Sequence, residues 1–111
     1  MANFSIFYRN EPNFCENNLL NSSAPWHEKR EYILDNYTQL GSYSAEDLNE
    51  VYDHYQAENW SPNGEARGLI SSLGLTHTSM SVGDLIYSSD ERKLFEVASC
   101  GFNEIHAGGI N

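Results

Sequence analysis

The chain has 111 residues, which is the size of a single domain and leaves no room for a second full hydrophobic core. With 40% hydrophobic and 13% aromatic residues, it is too apolar to be a disordered protein. Acidic residues outnumber basic ones by 16 to 6, and the net charge of −10 opposes general binding to nucleic acid or to an anionic membrane. The sequence has no signal-peptide pattern and no apolar run of membrane-spanning length, so we expect a cytoplasmic protein.

The first part of the chain predicts one strand followed by a loop. In residues 3–9, apolar and polar side chains largely alternate, which is the period of a strand with one buried face. Residues 10–23 are rich in asparagine and contain Pro12, and this composition favours turns over regular pairing. We therefore expect an N-terminal strand and a long exposed loop within residues 1–30.

The segment after this loop carries two competing patterns. Trp26 and Ile33 suit one face of a helix, whereas the alternation over residues 32–40 suits a strand. We predict a short helical or irregular piece and then a strand over about residues 32–43, with Gly41 as a candidate bulge.

Residues 44–58 give the clearest helix signal. Ser44 can accept hydrogen bonds from the amides of the first turn, and Asp47 stands three residues later, in the position of a capping box. Apolar residues then recur at the spacing i, i+3, i+4 and i+7, which forms one stripe that can pack on a sheet. The residues of this stripe are Leu48, Val51, Tyr52 and Tyr55.

The last part of the chain predicts a short helix and a hairpin. The helix covers residues 65–73 and stops at Gly74. Residues 80–86 and 94–100 form the two sides of the hairpin, and residues 106–111 form a loose tail. The order of elements predicts one α+β domain that spans all 111 residues. In this domain a small antiparallel sheet carries one main amphipathic helix and a short second helix on one face.

The negative charge is concentrated in the middle of the chain. Residues 31–66 contain eight acidic and no basic side chains. Neighbouring carboxylates on a helix repel each other, so this pattern is destabilising by itself. It can be explained as a surface that binds a basic protein by imitating the phosphates of DNA, or as a solvated surface that keeps the protein soluble. The candidate partner-binding residues are Glu46, Asp47, Glu50, Asp53 and Glu58.

The common catalytic motifs are absent from the sequence. It contains no nucleophile elbow, phosphate loop or zinc-protease motif, so we predict a protein that is not an enzyme and uses no cofactor or metal. The alternative is a small enzyme that uses Cys100 as a nucleophile, with His77 or His106 as its base, or that uses Asp84. The competing structural explanations are a cysteine buried on a strand and an aspartate that closes a turn after Gly83.

The cysteines and tryptophans give weaker signals. Cys15 and Cys100 are far apart and lack the spacing of a redox or zinc site, so we expect two reduced thiols and no disulfide. Trp26 and Trp60 can anchor a partner, but packing against the core or its rim is the preferred explanation.

Two segments near the C-terminus resemble a known family. Residues 77–86 read HTSMSVGDLI, and residues 95–105 read FEVASCGFNEI. They resemble the signature of small YodL-like proteins of phages, plasmids and other mobile elements, in which an S-V-G-D strand precedes a strand that ends in G-(F/W)-x-x-(I/L). The similarity covers about residues 31–105, and His77 stands where this family usually has arginine.

The resemblance implies an accessory protein that acts inside a bacterial host. Such proteins commonly bind and redirect or inhibit a host protein, which favours the binding explanation of the acidic residues. We therefore expect a protein that binds a basic nucleic-acid-binding or defence protein of the host and does not itself contact nucleic acid or membrane. A virion-associated structural module is a further alternative, beside the small enzyme.

Overall fold

The computed structural model describes residues 2–11, 15 and 17–105, so the predicted tail at residues 106–111 lies outside the described part of the chain. The described strands are β1 (Ala2–Arg9), β2 (Tyr37–Ala45), β3 (Leu85–Ser88), β4 (Lys93–Val97) and β5 (Phe102–Ile105). The described helices are α1 (Trp26–Asn36), α2 (Leu48–His54), α3 (Ala57–Trp60) and α4 (Arg67–Ser72).

The five strands form one antiparallel sheet in the order β2-β1-β3-β4-β5. In the pairing of β1 with β2, Ile6 lies opposite Gly41 but Phe7 lies opposite Gln39. Leu40 is therefore the extra residue of a β-bulge, next to the position where one was predicted. The predicted hairpin is formed by β3 and β4, and β5 adds one more strand to its edge. The predicted bounds were wrong, because residues 80–84 and 98–100 are irregular or turn backbone and the first strand of the hairpin begins only at Leu85.

The sheet separates two hydrophobic clusters. On one face, Ile6, Tyr8 and Ile86 pack with Val51 of α2 and Ile70 of α4, and all five side chains are buried. A buried side chain of this size contributes about 1.5–3 kcal/mol to folding. The α+β class is thus confirmed, and α2 and α4 share one face of the sheet as predicted. The other face carries α1, which at 11 residues is longer than the 7-residue α2, so the prediction of a main helix over residues 44–58 with helices on one face only is wrong. The buried residues of this second face are Leu20, Tyr37, Leu85, Leu94 and Ile105.

The predicted strand start near Tyr32 is wrong, because α1 continues to Asn36. Trp26 and Ile33 pack against the second hydrophobic cluster, so their helical spacing outweighs the local alternation of apolar residues. The side chain of Asn36 donates to the carbonyl of Tyr32 at 2.9 Å, a further contact within the last turn. β2 begins only at Tyr37.

The predicted helix cap at Ser44 is also wrong. Ser44 and Ala45 belong to β2, where Ala45 is fully buried and holds the chain in the sheet. Asp47 caps α2 instead, because its Oδ1 accepts a hydrogen bond from the amide of Glu50 at 2.9 Å. Glu50 Oε2 in turn accepts one from the amide of Glu46 at 2.9 Å. The capping pattern is therefore present, but it lies three residues later than predicted.

The loop between β1 and α1 is less exposed than predicted. Asn17 and Leu20 are only 5% and 0% exposed. The amide of Asn17 donates to Glu96 Oε2 at 2.6 Å, and the side chain of Asn21 donates to Oε1 at 2.7 Å. Glu96 is itself fully buried on β4, and its two hydrogen bonds attach the described part of this loop to the sheet. Asparagine-rich composition indicated a loop correctly but did not reveal its buried carboxylate partner.

Candidate functional site

A buried carboxylate, Asp84, lies directly before β3 and is 1% exposed. Its Oδ1 accepts a hydrogen bond from the amide of Arg9 at 2.9 Å, and its Oδ2 accepts one from the amide of Ser81 at 2.8 Å. His77 Nε2 lies 3.0 Å from Oδ2. A charged group can be buried only when its oxygens are satisfied in this way. Asp84 therefore joins the end of β1 to the segment that precedes β3.

Two aromatic rings, those of His77 and Tyr8, lie beside this carboxylate. The ring of His77 stacks on Tyr8, with the centroids 4.5 Å apart. The Tyr8 hydroxyl donates to the carbonyl of Thr78 at 2.7 Å, and Trp60 Nε1 donates to the same oxygen at 3.2 Å. Burial, and secondly the nearby charge of Asp84, raises the pKa of Tyr8 far above its usual value. Trp60 thus packs at the rim of the core, as predicted.

Gly83 allows the chain to pass close to β1. Its φ is +98°, and a Cβ atom there would lie 2.6 Å from Arg9 Nη1 and 3.0 Å from the carbonyl oxygen of Cys15. The amide of Gly83 donates to the carbonyl of Val97 at 2.9 Å, and its own carbonyl accepts from the Tyr37 hydroxyl at 2.6 Å. The structural explanation of the S-V-G-D segment, a turn closed by its aspartate, is confirmed.

Cys100 lies exposed in the turn between β4 and β5, so the prediction of a cysteine buried on a strand is wrong. The amide of Ala98 donates to the carbonyl of Gly101 at 3.0 Å, which closes a tight turn and leaves Cys100 at the surface. No disulfide joins Cys15 to Cys100, as expected.

The candidate catalytic residues do not form one site in the described part of the chain. His77 contacts Asp84 and is not hydrogen-bonded to Cys100, and His106 lies outside the described residues. A general base must reach a proton of its substrate, but Asp84 is buried and accepts from two backbone amides as well as facing His77. This geometry suits a residue that positions the chain.

The predicted partner-binding residues lie on α2, just before it and on α3. Glu46, Asp47, Asp53 and Glu58 are exposed, and Glu50 is half-buried. Asp47 and Glu50 also make the hydrogen bonds that begin α2, so they stabilise the helix besides adding charge. None of the five carboxylates forms an ion pair with another residue that the structure describes.

One imidazole lies at the end of α2. His54 stacks on Tyr43, with the ring centroids 4.0 Å apart. Burial lowers the pKa of His54 below its ordinary value of 6.5. At neutral pH His54 is therefore uncharged and does not offset the neighbouring carboxylates.

A groove runs beside α2 and is called the α2 groove below. It consists of two adjoining cavities of about 330 Å³ and about 220 Å³, and Asn49 and Phe102 line both of them. Phe4 and Leu48 give the first cavity an apolar floor, and Tyr52 lines the second.

A second groove lies between α1 and the sheet and has a volume of about 300 Å³. Trp26 lines it together with Phe7, Tyr87 and Leu94. Leu34, at its edge, is 64% exposed. Trp26 is therefore a half-buried rim residue of an open apolar groove, on the face of the sheet opposite α2.

Comparison of the chain with family models, with curated proteins and with solved structures gave no match. Among the residues that the structure describes, no helix combines the length and the apolar character needed to cross a membrane.

Two polar contacts of this structure were not predicted from the sequence. The pairing of Glu96 with the amide of Asn17 had one available signal, an acidic residue between apolar neighbours on a predicted strand. The pairing of Asp84 with His77 had none, because the two residues are seven positions apart in irregular backbone. Both carboxylates hold loops against the sheet.

Proposed function

We propose that this chain is a non-enzymatic accessory protein of a phage or mobile element that binds and modulates a basic protein of the bacterial host. One observation carries the proposal: a set of carboxylates on α2 and its flanks has no cationic partner among the described residues. The members of this set, called the acidic surface below, are Glu46, Asp47, Glu50, Asp53 and Glu58.

The physical support is electrostatic. Unpaired charges of one sign attract a partner of the opposite sign and speed its association, and they are screened beyond about 8 Å at physiological salt. Because burial keeps His54 uncharged near neutral pH, it does not weaken this field. The resemblance to YodL-like proteins supports the setting, a bacterial cytoplasm in which basic nucleic-acid-binding or defence proteins are available as partners.

The experiment is capture of partners from a bacterial lysate by the tagged protein and by a charge-reversal variant. Glu46→Lys, Asp53→Lys and Glu58→Lys change the acidic surface but leave the helix-capping carboxylates of Asp47 and Glu50 in place. We expect this triple variant to keep its circular dichroism spectrum and to lose its partner.

The matched control reverses three exposed acids of α1, on the other face of the sheet. Glu28→Lys, Glu31→Lys and Asp35→Lys give the same change in net charge. The proposal requires that this control still captures the partner and that capture by the original protein weakens between about 50 mM and about 500 mM salt. Capture of the same proteins by both triple variants would refute the acidic surface as the binding site.

A further inference from the structure

The α2 groove has an apolar floor next to the acidic surface. Phe4, 4% exposed, and the half-buried Leu48 and Phe102 are its apolar lining residues. Its larger cavity, about 330 Å³, has the size at which protein clefts begin to enclose small ligands or single side chains. An apolar group that moves from water into this cavity would be stabilised by the hydrophobic effect.

Carboxylates surround this floor from two directions. Glu46 and Asp47 lie on the chain just before α2, and Glu91 lies on the turn between β3 and β4. None of the three forms an ion pair with a described residue. Asp47 is engaged in capping α2, but Glu46 and Glu91 make no side-chain hydrogen bond to a described residue. Both are exposed carboxylates that line the groove.

This combination restricts the chemistry of an occupant. The rim repels an anionic group, and a purely apolar ligand would fill the floor but gain nothing from the rim. A purely cationic ligand would be attracted by the rim but would leave the apolar floor in water. An apolar side chain with lysine or arginine beside it in sequence satisfies both parts of the groove.

We propose that the α2 groove binds a short basic segment of the partner protein, with one large aliphatic side chain seated on Phe4, Leu48 and Phe102 and flanking Lys or Arg side chains at Glu46 and Glu91. This inference rests on the proposed function and adds what the partner presents. The acidic surface attracts the partner over a distance, and the groove selects among basic segments.

The test uses two acetylated peptides as probes, Lys-Lys-Leu-Lys-Lys and Lys-Lys-Ser-Lys-Lys. They have equal charge and differ only in the side chain that would enter the groove. We expect the leucine peptide to bind the full chain about 10-fold more tightly than the serine peptide. This ratio is at the lower end of the range expected from burying a leucine side chain. In nuclear magnetic resonance titrations, it should shift the backbone amides of Leu48, Asn49 and Phe102 and leave that of Ile33 on α1 unchanged.

Two variants probe the two parts of the groove. Asn49→Phe places a ring where both cavities meet, and it should remove the preference for leucine while α2 remains folded. Glu91→Lys reverses one edge of the rim at an exposed position, and it should weaken the leucine peptide several-fold. The matched control is Glu31→Lys on α1, which makes the same change in net charge far from the groove and should have little effect.

The outcomes separate this inference from the proposed function. Equal binding of the two peptides, no binding of either, or shifts confined to α1 would overturn the groove as the binding site. Shifts of Leu48 and Phe102 that grow with protein concentration without peptide would identify a second copy as the occupant and would also overturn it. In each case, loss of lysate capture in the Glu46, Asp53 and Glu58 variant would still support the proposed function. If the leucine preference holds but that variant captures its partner unchanged, the proposed function fails.

Discussion

Replacing Asp84 by alanine tests whether its carboxylate holds the fold together. The substitution removes the acceptor for the amides of Arg9 and Ser81 and for His77, at distances of 2.8–3.2 Å. A hydrogen bond to a charged group contributes about 1.5–3 kcal/mol, but three bonds to one carboxylate are not additive. Each buried donor left without its acceptor costs about 1–3 kcal/mol, and for the three donors together we expect a loss of about 4 kcal/mol. The free energy of unfolding of a domain of this size is about 5–15 kcal/mol in total, so the variant should be marginally stable.

The assay is urea unfolding followed by circular dichroism. With a slope of about 2 kcal/mol per molar urea, the loss lowers the midpoint by about 2 M. Asp84→Asn keeps the volume but places an NH₂ group against backbone donors, so it should cost about 2 kcal/mol. The control is Asp90→Ala in the exposed turn between β3 and β4, which should change stability by less than about 0.5 kcal/mol. A loss below about 1 kcal/mol for Asp84→Ala would refute the positioning role.

Three other changes test separate parts of the structure. Gly83→Ala should destabilise the protein by about 1 kcal/mol more than Gly74→Ala. Both residues have positive φ, but only at Gly83 would a Cβ atom meet other atoms within 3.0 Å. Equal losses of stability would contradict the close approach of Gly83 to β1. Burial raises the pKa of Tyr8 and Tyr37, so the unfolded chain ionises first and stability should fall as the pH rises above 10. The part of the tyrosinate absorbance that belongs to these two of the seven tyrosines should appear only as the circular dichroism signal is lost. Burial lowers the pKa of His54, so the unfolded chain takes up a proton first as the pH falls through 6.5. His54→Phe should therefore reduce the difference in urea midpoint between about pH 7.5 and about pH 5.5, and an unchanged difference would exclude this residue as a cause.

The parts of the fold that depend on spacing were predictable. Val51 and Tyr55 recur at helical spacing and are buried against the sheet as the stripe requires. The hairpin was predictable because apolar segments flank a polar turn, and Gly83 was identified because glycine before aspartate is typical of a tight turn. In each case the signal lies within a few residues of the feature.

The features that the sequence did not reveal depend on contacts between distant segments. Ser44 was a reasonable helix cap locally, but burial of Ala45 in the sheet keeps both residues in β2 and moves the cap to Asp47. The loop after β1 is held by Glu96, a residue far along the chain. Of the candidate site, the charge of the acidic surface was readable from composition, whereas the groove beside it required the positions of β1, α2 and β5 together.

Whether the acidic surface touches the partner can be measured by zero-length carboxylate-to-amine cross-linking in a bacterial lysate, followed by mass spectrometry of the cross-linked peptides. The cross-linker joins a carboxylate only to a lysine that touches it, so it reports which acids meet the partner. We predict cross-links from Glu46, Asp53 and Glu58, and their loss at about 500 mM salt. Cross-links to the partner from Glu28, Glu31 or Asp35 on α1, with none from the acidic surface, would show that the partner binds elsewhere.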